Sequence, residues 1–279
     1  MAAAEGPSAR GSPRQVGDVT QSSQQVLYEQ IHDEYARHLY DATSNAYRDA
    51  FINSSLFEEL DLNGKSMAEI MCGNGQATLF AKSRFPGIHC HGFDISRRAC
   101  EEYTQWTGFP ATASDILNEP LPRETFDAVA VVGGLHHVIR NLDTVMNNVH
   151  AALRPGGTLL MMEPNSDYVL ESIRKLWYRA DRYFDADDEQ ALSYKTLQST
   201  YNALFQERHV RHLGGPAYFL ILMSMVFRIP LGAKPYLAPP LMRLERLWNT
   251  IPYRRVHAIF VAQWTKKAVQ PHAASRAIR

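Results

Sequence analysis

The residues able to do chemistry concentrate between positions 66 and 165. Glu69 to Gln76 reads EIMCGNGQ, setting Glu69, Cys72, Gly73, Asn74 and Gly75 between an apolar run and a helical pattern. Two glycines there permit a tight reversal and close approach of a ligand to the backbone. Asp94 and Ile95 end a second apolar run, and Asp115 and Ile116 follow a third. An acid at the end of the second strand can accept both hydroxyls of a ribose. One after the third can accept from an exocyclic amine while its apolar neighbour packs on the ring. Together the pair fits an adenosine, although either acid could instead cap a helix. GGLHHV then sets Gly133, His136 and His137 just past a fourth run. An imidazole changes charge near neutral pH and can take a proton from a hydroxyl. Because adjacent residues at a strand end point opposite ways, one ring is expected to face the cleft and the other to anchor the loop. Glu163 and Asn165 rank behind the histidines as substrate contacts or helix caps. His209, His212 and His257 lack ligand spacing, so no metal site is expected.

Periodicity gives the elements that must position these groups. Strands are predicted at 67 to 71, 88 to 93, 110 to 113, 126 to 132 and 157 to 163, and helices at 75 to 84, 96 to 107 and 142 to 153. RPGG at 154 to 157 should stop the last helix. Short apolar runs alternating with helical stretches predict a parallel sheet with crossover helices. Ahead of them lie two amphipathic helices, Val26 to Tyr40 and Asn45 to Leu60, broken near Thr43 and Ser44. After Pro164 come an amphipathic helix over 167 to 184, another from Glu189 to Phe205, and a short strand at His209 to His212. Residues 216 to 250, with Pro230, Pro235, Pro239 and Pro240, read as a cap too broken for one helix. HAIFVAQW, His257 to Trp264, suits a final strand. The expected organisation is a disordered tail over 1 to 20, one domain over 21 to 268 with insertions at about 166 to 207 and 216 to 250, and a loose tail over 269 to 279.

Composition narrows the function. Basic and acidic residues balance at 29 each, so no net field would gather nucleic acid, and a small or neutral substrate is expected. Three cysteines, Cys72, Cys90 and Cys100, without a CxxC pair or a secretory signal point to a reducing, cytoplasmic setting. The most apolar run, Tyr218 to Phe227, meets Arg228 and Pro230 well short of the roughly 18 residues a membrane span needs.

EIMCGNG, FDIS, ASDI, FDAVAVVGGLHHV and ALRPGGTLLMMEPN together resemble the ordered loops and strands of class I S-adenosylmethionine-dependent methyltransferases, of the small-molecule branch that includes the menaquinone and ubiquinone enzymes. The resemblance covers residues 26 to 165 and, loosely, the rest. It implies a Rossmann-like α/β sheet of seven strands, the last antiparallel, with S-adenosylmethionine across the carboxyl ends of the strands. It also implies Asp94 on the ribose, Asp115 near the adenine, and a cation or hydroxyl from the N-terminal helices on the carboxylate. Tyr28, Tyr35 and Arg48 are the candidates for that last role. The family usually has glycine where this chain has Met71, which implies a differently shaped methionyl end.

Methyl transfer from a sulfonium is an in-line displacement, so such an enzyme must chiefly position the acceptor and exclude water. Oxygen is the favoured acceptor atom of a natural product, glycan or lipid-linked intermediate, with nitrogen and carbon as alternatives. Trp177, Tyr183, Phe184, Tyr218, Phe219 and Phe227 could wall an apolar acceptor pocket or form only the core of the cap. Arg174, Lys175, Arg179 and Arg182 among the aromatics of the first insert helix would also suit peripheral membrane contact. Two other classes compete: a non-catalytic cofactor-binding scaffold, and an NAD-dependent oxidoreductase. The latter would want a third small residue where Thr78 stands.

Overall fold

Buried parallel strands are apolar along their whole length because helices cover both faces. β1 (Ser66–Ile70) and β4 (Phe126–Val132) fit that rule, being buried almost throughout. The computed structural model describes residues 37–172 and 190–268. Within them β2 (His89–Asp94), β3 (Ala111–Ala113), β5 (Leu153–Pro164), β6 (Phe205–Leu213) and β7 (Ile259–Lys266) complete a seven-stranded sheet of order β3-β2-β1-β4-β5-β7-β6. β7 lies antiparallel between β5 and β6, and the other pairings are parallel. The carboxyl ends of β1, β2, β4 and β5 therefore open on one edge, where ligands of open α/β sheets bind.

Helix α1 starts at Ala42–Tyr47 and continues through a π-helical Arg48–Asn53 to Ser54–Leu56. The chain breaks ahead of Thr43 and Ser44 rather than at them, because Asp41 caps the helix and accepts from both of their backbone N–H groups. α2 (Gln76–Arg84) and α3 (Arg97–Thr107) follow β1 and β2. α4 (Leu142–Ala152) stops one residue early, and β5 starts at Leu153, paired with Phe126. RPGG thus lies inside the irregular start of a strand, where Arg154 Nη1 bonds Asp127 Oδ2 at 2.6 Å.

The second half departs further from its periodicity. α5 (Tyr194–Tyr201) is shorter than the predicted 189 to 205, since Phe205 already opens β6, and β6 runs nine residues rather than four. Residues 216 to 250 hold a π-helical turn at Tyr218–Leu222 and one unbroken helix, α6 (Lys234–Trp248), despite its prolines. Pro235 stands at the helix start, where its missing N–H is no loss. Pro239 and Pro240 are exposed, so the carbonyls they release can reach water. Tertiary anchors hold the helix: buried Glu245 accepts from Tyr47 Oη at 2.7 Å, Gly215 N at 2.8 Å and Ala217 N at 2.9 Å. Lys234, fully buried, donates to His38 O and Ser44 Oγ at 2.8 and 2.6 Å and pairs with Asp41.

One core packs α1, α2 and α6 on one face of the sheet; a second packs α4 and α5 on the other. Of the expected Val26 to Tyr40 helix only residues 37 to 40 are described, the first three of them helical, and most of the first insert helix lies outside the described residues.

Candidate active site

β1 runs straight into the glycine turn. Glu69, buried at that end of the sheet, accepts from the Thr78 backbone N–H at 2.9 Å and so satisfies one of the orphan donors at the start of α2. Burial pushes its carboxyl up to about 7, with the negative charge of Asp94 adding to the rise. A carboxyl raised in the fold supplies stability that is full below its unfolded value, near 4.5, and lost as the pH climbs toward 7. Glu69→Gln keeps an acceptor for Thr78 and removes that loss. Its stability relative to wild type should rise between about pH 5 and pH 8, by at most about 3 kcal/mol, in urea unfolding curves. A difference that does not change with pH would disprove the assignment.

Gly75 caps α2 at φ +80°, and a Cβ there would stand 2.6 Å from Tyr103 and Thr107. That glycine serves the packing of α2 on α3. Cys72 is buried, its thiol 3.7 Å from the Gly73 carbonyl. Met71 holds φ +51°, a region costing on the order of 1 kcal/mol for a residue with a side chain. Its sulfur closes over Gly134, where a Cβ would stand 2.5 Å away, so Met71 joins the loop after β1 to the loop after β4.

Asp94 accepts from Gly73 N and Ser96 N, both at 2.9 Å, and thereby ties the glycine turn to the end of β2. Ile95 beside it is exposed, whereas Ile116 is buried beneath α4 with its carbonyl accepting from Asn148 at 2.7 Å. The open apolar side chain is thus Ile95, and Ile116 belongs to the core. Asp115 closes an Asx turn onto Leu117 N at 3.0 Å and accepts from Asn118 Nδ2 at 2.7 Å. Arg48 is buried and turned to its own segment, donating to Leu39 O and to Asn45 Oδ1 with its guanidinium 5.1 Å over Tyr40. Tyr28 and Tyr35 lie outside the described residues.

The loop after β4 is organised by one acid. Glu163, fully buried at the end of β5, accepts from Gly134 N at 3.0 Å, Leu135 N at 2.8 Å and His136 N at 3.3 Å. Its Oε2 also lies 2.8 Å from His136 Nδ1. Three backbone N–H groups and the imidazole thus give each oxygen of this buried carboxyl a hydrogen-bond partner. With Nδ1–H donating to Glu163, the basic lone pair of His136 is on Nε2. Leu135–His137 form a 3₁₀ turn rather than a strand end, so the two rings do not diverge as strand alternation predicts. They pack against each other at a tilt of 36°, centroids 4.0 Å apart. Gly133, at φ +68°, has open space where its Cβ would be, with His136 Cε1 the nearest atom at 3.9 Å. Asn165 is buried and bonds Arg254 O and His257 O at 3.2 and 3.0 Å, fixing the chain ahead of β7.

The donor set suits a nucleoside cofactor on one observation in particular. Asn74 is buried in the glycine turn, its Oδ1 accepting from Gln76, while its Nδ2 has no hydrogen-bond partner among the described residues. A buried donor left so demands an acceptor, and the ring of Asp94, Ile95 and Asp115 around the same edge is of the right chemistry. The described residues contain no cluster of three or more side chains able to hold a metal ion. Glu163 carries no spacing signal toward His136, because the two lie 27 positions apart and are brought together by the pairing of β4 with β5.

Residues 68–159 match a family model described as a methyltransferase domain. No curated protein matches the sequence significantly. Among solved structures, an S-adenosylmethionine-dependent methyltransferase from Thermotoga maritima superimposes with a TM-score of 0.60 at 15% identity, covering 88% of this chain and 99% of that one. Phosphoethanolamine N-methyltransferase 2 of Haemonchus contortus, in complex with S-adenosyl-L-methionine, gives 0.61 at 16% identity, covering 89% of this chain and 61% of that one. An S-adenosylmethionine-dependent methyltransferase from Mesorhizobium loti gives 0.51 at 18% identity, covering 78% and 99%. These likenesses show the fold. At the position where a dinucleotide fold wants a small residue, Thr78 is buried and bonds Tyr103 Oη at 2.9 Å.

Proposed function

We propose that the chain is a class I S-adenosylmethionine-dependent methyltransferase that methylates a hydroxyl of a small-molecule acceptor with His136 as the general base. The observation that carries this reading is the 2.8 Å contact between His136 Nδ1 and buried Glu163. S-adenosylmethionine supplies a methyl group already activated on a sulfonium. What the chain must add is a site that orients the acceptor and takes its proton as the new bond forms. Glu163 fixes the imidazole's tautomer and direction, so Nε2 can accept that proton without reorganising the loop. His137, packed against His136 with the rings tilted by 36°, limits the ring's rotation. A nitrogen or carbon acceptor would need less proton removal and gives the His136–Glu163 pair less to do.

The cofactor end is assigned to Gly73, Asn74, Asp94, Ile95 and Asp115, with Gly133 at the junction to the acceptor side. The acceptor side is assigned to the loops after β4 and β5 and to the cap over 216 to 250. Asn74→Ala tests the first assignment in a way that separates binding from folding. Its Nδ2 has no partner among the described residues, so the variant should keep wild-type stability within about 0.5 kcal/mol. Affinity for S-adenosylhomocysteine should drop by about 1 to 3 kcal/mol, the worth of a buried hydrogen bond. Calorimetry and thermal melts on one preparation give both numbers. Unchanged affinity would remove Asn74 from the site.

A further inference from the structure

α6 is anchored by one side only. Lys234, Ala238 and Glu245 face the core, while Tyr236, Leu237, Leu244 and Leu247 on the opposite side are exposed, Tyr236 by 83% and Leu247 by 69%. Beyond the helix Ile251 and Tyr253 continue the exposed apolar surface. A helix normally spends its apolar residues on the core and its polar ones on solvent; α6 has apolar residues on its outer face while a buried lysine and glutamate hold its inner one.

Within the segment from Phe227 to Val256 the exposed charges have one sign. From Phe227 to Val256 the exposed charged residues are Arg228, Arg243, Arg246, Arg254 and Arg255, and the segment's single acid, Glu245, is fully buried under three donors. Arg254 pairs with Asp167 at 3.6 Å and Arg246 lines a cleft with Glu58 and Arg211, which leaves Arg228, Arg243 and Arg255 as the segment's other exposed cations. This local excess stands out in a chain whose total charge balances at zero.

The surface is also continuous with the acceptor side. Arg255 O accepts from Val169 N at 2.7 Å, and Asn165 bonds Arg254 O, so the Ile251–Arg255 segment is stitched to the residues that follow Glu163 on β5. Val169 and Leu170 there are exposed as well, by 58% and 45%.

We propose that the outer face of α6 with Ile251 and Tyr253 docks on an anionic lipid bilayer and holds the acceptor side of the site toward molecules carried in that bilayer. Exposed leucines, tyrosines and a basic rim are the composition of a helix lying in the membrane interface, where aromatic rings sit at headgroup level and arginines meet anionic lipid. Among the described residues no helix is long and apolar enough to cross a membrane, so the contact is peripheral. A second copy of the chain on this face would set one arginine rim against another and bring like charges together. The substrate class that follows is a hydroxyl compound with a lipid tail, and that part rests on the methyltransferase reading above.

Flotation of the full chain with vesicles tests the docking. With phosphatidylcholine vesicles containing phosphatidylglycerol the chain should float, and partitioning should fall at least tenfold on pure phosphatidylcholine or in high salt, which screens the arginines. The double substitution Leu244→Asp and Leu247→Asp should cost at least tenfold on anionic vesicles while leaving the melting temperature and S-adenosylhomocysteine affinity at wild-type values. Failure of the wild type to float with anionic vesicles, or wild-type flotation by the double variant, would overturn the proposal. So would a dimer in solution that the double variant converts to monomer. Titration of S-adenosylhomocysteine into the same samples separates the two readings: a chain that binds vesicles and not this ligand overturns the methyltransferase reading alone, and the converse overturns docking alone.

Discussion

His136→Asn should lower turnover on a hydroxyl acceptor by ~10² to 10⁴ while leaving cofactor affinity within about twofold, the usual worth of a positioned general base. Asparagine can still donate toward Glu163, so the loop that Gly134, Leu135 and His136 build on that carboxylate keeps its anchor. It offers no basic nitrogen where Nε2 stands. The loss should therefore fall on kcat, with KM for S-adenosylmethionine little changed, the pattern of an interaction made as the bond forms rather than on binding. His137→Ala should cost far less, because its ring packs on His136 and the loop's fixed points are the backbone bonds to Glu163. The comparison is read from turnover at saturating methyl-labelled cofactor with any hydroxyl acceptor that supports it. Equal and small losses in both variants would move the base elsewhere.

The other large effect concerns stability. Lys234 is fully buried between α6 and the cap of α1, donating to His38 O, Ser44 Oγ and Asp41. Burial lowers the pKa of its ammonium, and Asp41 counters by favouring the charged form. For Asp41, burial acts upward, but the hydrogen bonds from Lys234 and Ser44 outweigh it and hold the carboxyl below its ordinary value. Lys234→Met takes the ammonium away from Asp41 and one donor from His38 O and Ser44 Oγ, which keep their bond to each other, and breaking such a buried pair should cost about 3 to 5 kcal/mol. Asp41 is partly exposed, so the lower end of that range is expected. Adding Asp41→Asn should recover part of the loss, since the two sites share one interaction. The Asp41 contribution is present above its unfolded value, near 3.8, and is lost as the pH falls through its lowered folded value. Urea unfolding of the single and double variants measures both terms. A single-variant loss under about 1 kcal/mol would show that the pair does not tie α6 to α1.

Much of this was legible in the sequence, for reasons tied to particular residues. Central strands such as FDAVAVV are buried on both faces and so read as unbroken apolar runs. The turn EIMCGNGQ and the acids Asp94 and Asp115 sit at strand ends that a parallel sheet brings to one edge. What failed to show was tertiary. The span of α6 was hidden by Pro239 and Pro240, because the bonds of Glu245 to Tyr47, Gly215 and Ala217 that offset them come from distant elements. The contact of the His136 and His137 rings was hidden because the backbone of Leu135 and His136 is held by Glu163, 27 positions onward from His136, rather than following the alternation of β4. Arg48, a candidate for the cofactor carboxylate, also bonds the Leu39 carbonyl and Asn45 of its own segment, contacts that its position in the sequence does not reveal. Local pattern fixes where a strand ends; it carries no record of which acid a neighbouring strand will bring.

Calorimetric titration of S-adenosylhomocysteine into the wild type, Asp94→Ala and His136→Asn tests whether the edge formed by the glycine turn, Asp94 and Asp115 binds S-adenosylmethionine beside His136. The wild type should show one site, His136→Asn the same affinity, and Asp94→Ala a loss of about 1 to 3 kcal/mol. No binding by the wild type, or unchanged affinity in Asp94→Ala, would contradict it.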